Sequence, residues 1–127
     1  MPFRSPLGNA RGLGSAKDGT HHWWMQRVTA LALIPLALWF VASVVALIGK
    51  DHMAFTAWVK SPVSATLLVL LIAATFHHAQ LGVQVVIEDY VHHEGTKVTS
   101  ILLVKGAALV LAGIGIFSVL RIAFGGP

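Results

Sequence analysis

The chain has 127 residues, of which 56% are hydrophobic and 11% charged, and its mean hydropathy is +0.76. Soluble domains carry about 25% charged residues, so these charges cannot cover a globular surface and lipid is the expected solvent. The absence of cysteine excludes disulfides and any iron–sulfur cluster held by this chain alone. The formal charge of +4 rests on few residues, with Arg4, Arg11, Lys17 and Arg27 all before the first long apolar run. No basic stripe alternates with aromatics, so this is a membrane-topology signal and not a nucleic-acid footprint.

A transmembrane helix needs roughly 20 mostly apolar residues, and the chain has room for three and little else. Residues 1–20 hold Pro2, Pro6, several glycines and three basic residues, with no apolar repeat at helical or strand spacing. A secretory signal has a short basic start, a short apolar core and a cleavage site. Here the basic segment is long and the run after it can span, so an extended cytoplasmic tail is expected.

The first span is expected at about 28–49, uncharged inside and interrupted by Pro35, which spanning helices tolerate as a kink. Before it, His21, His22, Trp23, Trp24 and Arg27 sit at the expected interface. Either they form an aromatic belt with a snorkelling arginine, or Arg27 turns inward to an anionic group. Residues 50–60 read as a short outer loop with Trp58 as an interfacial anchor. Pro62 suits the first turn of the second span, expected at 63–90. Residues 92–97 read as the next turn, with Gly95 as a helix stop. The third span is expected at 98–123, with Gly106, Gly113 and Gly115 giving a small-residue face for close helix contact.

The fold class that follows is an all-α membrane protein with a tail and interfacial segment at 1–27 and a three-helix transmembrane domain at 28–127. The basic tail predicts a cytoplasmic N-terminus, and three spans then place the C-terminus outside. Lys97 and Lys105 on the inner side agree; Lys50, Lys60 and Arg121 on the outer side reduce the contrast.

The second span carries the polar chemistry. Its apolar run admits His77 and His78, then reaches Glu88, Asp89 and the chain's only tyrosine, Tyr90. Ionisable residues at such depth are costly and point to function. At about 100° per residue, Gly82, Val85 and Asp89 lie within about 40° of His78. His77 falls about 100° away and Tyr90 about 120° round. The rise from His78 to Asp89 is about 16 Å, so His78 lies well inside the hydrocarbon. Neutral imidazole is a common metal ligand and a usual axial ligand of haem iron. His21, His22, His92 and His93 lie near the inner surface and His52 in the outer loop. A six-coordinate haem would therefore need a second ligand from a partner chain. Interhelical hydrogen bonding without a cofactor is the competing account of the histidine pair, and spacing leaves His77 and His78 both open as ligand. Tyr90 reads as an interfacial belt residue or as a hydroxyl donor to a quinone carbonyl. Asp89 at a helix C-terminus is poorly placed electrostatically, which favours a role for it. His92, His93 and Glu94 read as a solvated turn and not a metal cluster.

Two motifs bring these residues together. His78-Ala79-Gln80-Leu81-Gly82, then six residues, then Asp89-Tyr90 match the pattern His-Ala-x-x-Gly…Asp-Tyr, and Arg27-Val28-Thr29-Ala30 matches Arg-x-Thr-Ala at the first span's entry. With the three-span architecture, the chain resembles the hydrophobic membrane-anchor (D-type) subunits of bacterial succinate dehydrogenase, respiratory complex II. The resemblance implies His78 as one axial ligand of haem b, with the other from the larger cytochrome b anchor subunit. It implies Arg27 near the haem propionates, Tyr90 hydrogen-bonded to ubiquinone and Asp89 supporting that site. FAD and iron–sulfur clusters would belong to the flavoprotein and iron–sulfur partners, in the bacterial inner membrane, linking the tricarboxylic acid cycle to electron transport. This chain alone would hold no complete active site.

Two other functions compete. A small transporter or channel subunit could use the histidines as a proton relay, and predicts transport without a haem spectrum. A relay should continue across the membrane, yet the outer halves of these spans are nearly bare of ionisable groups. A purely structural haem-free anchor predicts that replacing His78 and Tyr90 leaves turnover unchanged.

Overall fold

The computed structural model describes residues 13–125, with side-chain detail from residue 19 onward. It contains four helices in this range: α1 (Leu13–Leu47), α2 (His52–Lys60), α3 (Pro62–Tyr90) and α4 (Glu94–Phe124). Three segments are long and apolar enough to cross a membrane: Gly19–Leu47, Pro62–Tyr90 and Glu94–Phe124. At 1.5 Å per residue, the 29 residues of α3 and 31 of α4 reach about 43 and 46 Å. Each therefore exceeds a hydrocarbon core of about 30 Å by several residues at its ends.

The helix boundaries have local causes. Pro35 lies inside α1, which continues through it to Leu47. The helix ends where Gly49 adopts a left-handed φ of 80° and Lys50 N–H closes a turn on the Leu47 carbonyl at 3.0 Å. Asp51 then caps α2, its carboxylate accepting from Ala54 N–H at 3.0 Å. The expected outer loop at 50–60 is thus mostly a helix. An aspartate before nine residues of which none is glycine or proline is a start signal that the loop reading overlooked. Pro62 opens α3 as anticipated, because its missing N–H is a donor that a first turn leaves free anyway.

The turn at 92–97 is also shorter than expected. Glu94 already belongs to α4, and the His93 ring caps it by accepting from Thr96 N–H at 3.3 Å. Gly95 lies in the first turn of α4 and does not stop a helix. Glu94 at the N-terminal turn and Arg121 at the C-terminal turn complement the helix dipole. At the other end of the chain, residues 13–20 are helical and extend α1 backwards, where an extended tail was expected; the rest of that tail lies outside the described residues.

α3 is the central element and packs against both α1 and α4, while the short α2 packs across α3 and α4. A stack of Trp39 on Trp58, with ring centroids 5.7 Å apart and planes at 25°, ties α1 to α2. Few side chains are buried: Val59, Leu68 and Leu81 among the apolar ones, and Thr29, Ser64 and Gln80 among the polar ones. α4 buries none, and large apolar residues such as Leu31, Leu102, Leu109 and Phe117 face outward. Such an inverted surface suits lipid or neighbouring subunits as solvent. Close helix contact falls on one glycine of the anticipated small-residue face. A Cβ at Gly115 would lie 3.3 Å from Ile72 Cγ2, whereas one at Gly106 or Gly113 would meet nothing within 4 Å.

Candidate functional site

The α1–α3 contact is polar where apolar packing alone would have sufficed. Thr29 on α1 is 7% exposed, and its Oγ1 lies 3.0 Å from His78 Nδ1 on α3. The same hydroxyl is 2.7 Å from the Met25 carbonyl and 3.0 Å from that of Gln26. A threonine that back-bonds within its own helix needs no other partner, so its additional contact with His78 is a polar link across the α1–α3 interface. Gly82 lies one turn on from His78 and faces Gln26 of α1. A Cβ there would approach Gln26 Nε2 to 3.9 Å, an ordinary contact.

Beside this contact lies an open cavity of about 200 Å³ lined by Trp23, Gln26, Arg27, Ala30 and His78. The four α1 residues follow i, i+3, i+4, i+7 spacing and therefore share one face. The Arg27 guanidinium carbon sits 5.4 Å from the Trp23 ring centroid, a cation–π contact that holds the charge at the cavity's edge. Arg27 lines the cavity, while Trp23 and Trp24 are exposed and meet edge to face. The Nε2 atom of His22 in the same segment is buried without a hydrogen-bond partner.

His77 points elsewhere. It lines a separate cleft of about 510 Å³ between α3 and α4, together with Phe76, Gln80, Lys105 and Ala112. The angular separation of the two histidines along the helix becomes a separation by interface. At the other end of α3, Asp89 is exposed and Tyr90 is 78% exposed, neither hydrogen-bonded through its side chain among the described residues. The structure therefore brings His78 and Arg27 into one cavity and leaves Asp89 and Tyr90 about 16–18 Å along the helix.

Three groups of residues enter that the sequence reading passed over. Thr29 was visible there only as a motif letter. Gln26 shares the helix face of Arg27 and was readable from periodicity, as was the place on that face of Trp23, which reads in sequence only as part of a belt. The third is a ladder on α3, in which Gln80 Nε2 donates to Gln84 Oε1 at 3.1 Å and Gln84 Nε2 to Glu88 Oε1 at 3.0 Å. Their i, i+4, i+8 spacing is a one-face polar stripe running from the helix interior to its end.

A haem asks this chain for one imidazole with a free nitrogen, a neighbouring cation and a small-residue opening. His78 has Nδ1 occupied by Thr29 and Nε2 without a protein partner among the described residues. Arg27 supplies the cation and Ala30 a small residue in the cavity wall. Among the described residues no three His, Cys, Asp or Glu side chains gather around one point. The residues present fit one face of a haem and not a multi-ligand metal centre.

Comparison with known proteins agrees with this architecture. Residues 1–119 match the family of succinate dehydrogenase/fumarate reductase transmembrane subunits. The chain is 37% identical over 103 residues to the succinate dehydrogenase hydrophobic membrane anchor subunit of Rickettsia bellii, covering 81% of this chain and 82% of that one. The corresponding subunit of Paracoccus denitrificans is 31% identical over 116 residues, 90% of this chain and 89% of the other. A succinate dehydrogenase membrane anchor subunit from Reclinomonas americana is 33% identical over 97 residues, 73% and 80% respectively. The match over nearly the whole chain and the three-span helical fold place it in one family: the chain belongs to the succinate dehydrogenase/fumarate reductase transmembrane subunits, as a hydrophobic (D-type) membrane anchor.

Proposed function

We propose that this anchor binds haem b jointly with a larger cytochrome b anchor subunit and contributes to a ubiquinone-reducing site, in a complex completed by iron–sulfur and flavoprotein subunits. The observation that carries the haem half is the meeting of His78, Thr29 and Arg27 across the α1–α3 interface. Nε2 of His78 is the atom that would bind iron. Arg27 would neutralise the propionates, since a guanidinium pairs well with carboxylates, and its contact with Trp23 keeps it at that edge. A bound haem supplies one-electron storage; the protein's contribution is orientation, charge and exclusion of water.

The quinone half rests on Tyr90 and Asp89. The Tyr90 hydroxyl is free of intrachain partners among the described residues and would donate to a quinone carbonyl at the cytoplasmic edge. Asp89, its neighbour, would orient that donor or pass a proton from the aqueous side. Protons taken from the cytoplasm fit an N-terminus on that face and a C-terminus outside, in the bacterial inner membrane.

The test is the reduced-minus-oxidised spectrum of the purified complex carrying His78→Ala. The b-haem signal should be lost or shifted. A wild-type spectrum would sink the ligand assignment, because the haem would then be held without His78.

A further inference from the structure

Thr29 has one hydroxyl proton and three acceptors or partners within reach. The Oγ1 to Met25 carbonyl separation of 2.7 Å is the ordinary length of an O–H···O bond. Two oxygens at that distance need a proton between them, because lone pair against lone pair would repel. The proton of Thr29 is therefore directed into its own helix, towards the Met25 carbonyl and, at 3.0 Å, that of Gln26. Nothing is left to donate to His78. The remaining 3.0 Å contact between Oγ1 and His78 Nδ1 must then run the other way, with Nδ1–H donating to the hydroxyl oxygen.

From this proton count we infer that Thr29 is a positioning residue which selects the Nδ1–H tautomer of His78 and thereby keeps Nε2 as the free lone pair. The inference rests on the reading of His78 as an axial ligand and adds what makes it one. Burial strengthens the effect: Thr29 is 7% exposed, so water has little access to the hydroxyl oxygen that accepts from Nδ1–H. A hydrogen bond from the non-ligating nitrogen fixes ring orientation and raises ligand basicity. Greater basicity stabilises ferric over ferrous iron, so Thr29 holds the haem potential down. His78 also lines the cavity that Arg27 and Ala30 share on α1.

The test uses the assembled complex with Thr29→Val, which keeps the shape and removes the oxygen, and Thr29→Ser, which keeps the oxygen and removes the methyl. Redox titration of the b-haem is the readout, with haem content per flavin alongside. In Thr29→Val the ferrous-to-ferric ratio at fixed potential should rise about tenfold, equivalent to a midpoint about 59 mV higher for one electron; Thr29→Ser should titrate as wild type. A wild-type midpoint in Thr29→Val, or an equal shift in both variants, would overturn the inference, the latter because packing of the methyl would then be responsible. If Thr29→Val assembles without haem, Thr29→Cys decides, since it replaces the oxygen with a weaker acceptor. A smaller rise there supports the inference and a wild-type midpoint overturns it. The two levels separate cleanly. Native haem in His78→Ala removes the ligand assignment and the role of Thr29 with it, whereas loss there with a native midpoint in Thr29→Val removes the role of Thr29 alone.

Discussion

His77 and His78 are consecutive residues that serve opposite interfaces of the same helix. His78 meets Thr29 and lines the cavity with Arg27; His77 lines the α3–α4 cleft with Lys105. One residue of helical advance rotates a side chain by about 100°, which suffices here to move an imidazole from the α1 contact to the α4 contact. Of the two, His78 alone combines an oriented Nδ1 with an Nε2 that has no partner among the described residues.

The pair therefore makes a paired prediction. His77→Ala in the assembled complex should leave the b-haem spectrum at wild-type amplitude and position, while His78→Ala abolishes or shifts it. Loss of the spectrum in His77→Ala with retention in His78→Ala would reverse the assignment.

Tyr90→Phe should separate two activities. Removing a single hydroxyl donor from a quinone carbonyl costs about 1–1.5 kcal/mol, roughly tenfold in kcat/KM for quinone. Succinate oxidation by an artificial acceptor should be unaffected, because it does not use this site. Equal loss of both would point to assembly. Tyr90 is 78% exposed in this chain, so an assembly effect would act through a neighbouring subunit and not through this chain's own packing.

Gly115→Val should loosen the α3–α4 contact. A Cβ at this position already lies 3.3 Å from Ile72 Cγ2, and the two further methyls of valine overpack a β-branched neighbour with little rotameric freedom. Overpacking of this kind costs about 1–3 kcal/mol. Gly106→Ala and Gly113→Ala meet nothing within 4 Å and should be neutral within this chain. Thermal inactivation of the detergent-purified complex compares the three.

The Trp39–Trp58 stack should contribute measurable coupling between α1 and α2. A double-mutant cycle with Trp39→Leu and Trp58→Leu is expected to give about 0.5–1.5 kcal/mol beyond the single losses. Additive losses would mean that each ring acts as an independent interfacial anchor.

How much of this was legible in the sequence follows from the range of the forces involved. The three spans were legible because length and apolarity are summed along the chain, and Pro62 marks a helix start through its own missing N–H. The division between His77 and His78 was legible as well, since helical rotation is a local property. The short connections were less so. Asp51 and His93 act as caps through side-chain bonds to backbone N–H groups three residues on, and a polar residue between apolar runs reads equally well as loop.

The site itself divides along the same line. Arg27, His78, Asp89 and Tyr90 stood out in the sequence because charge, imidazole and a lone phenol are conspicuous against an apolar background. Thr29 did not, for threonine is ordinary in a spanning helix and its effect depends on what faces it. That is a question of the rotation and register of α1 on α3, decided by packing between residues 49 positions apart. The same holds for Gly115, where a Cβ would press on Ile72, while one at Gly106 or Gly113 would meet nothing within 4 Å. The sequence by itself determined how far along each helix a group lies and on which face. Only the tertiary structure decided which of them meet, because periodicity orients each helix about its own axis and says nothing of the neighbour it turns towards.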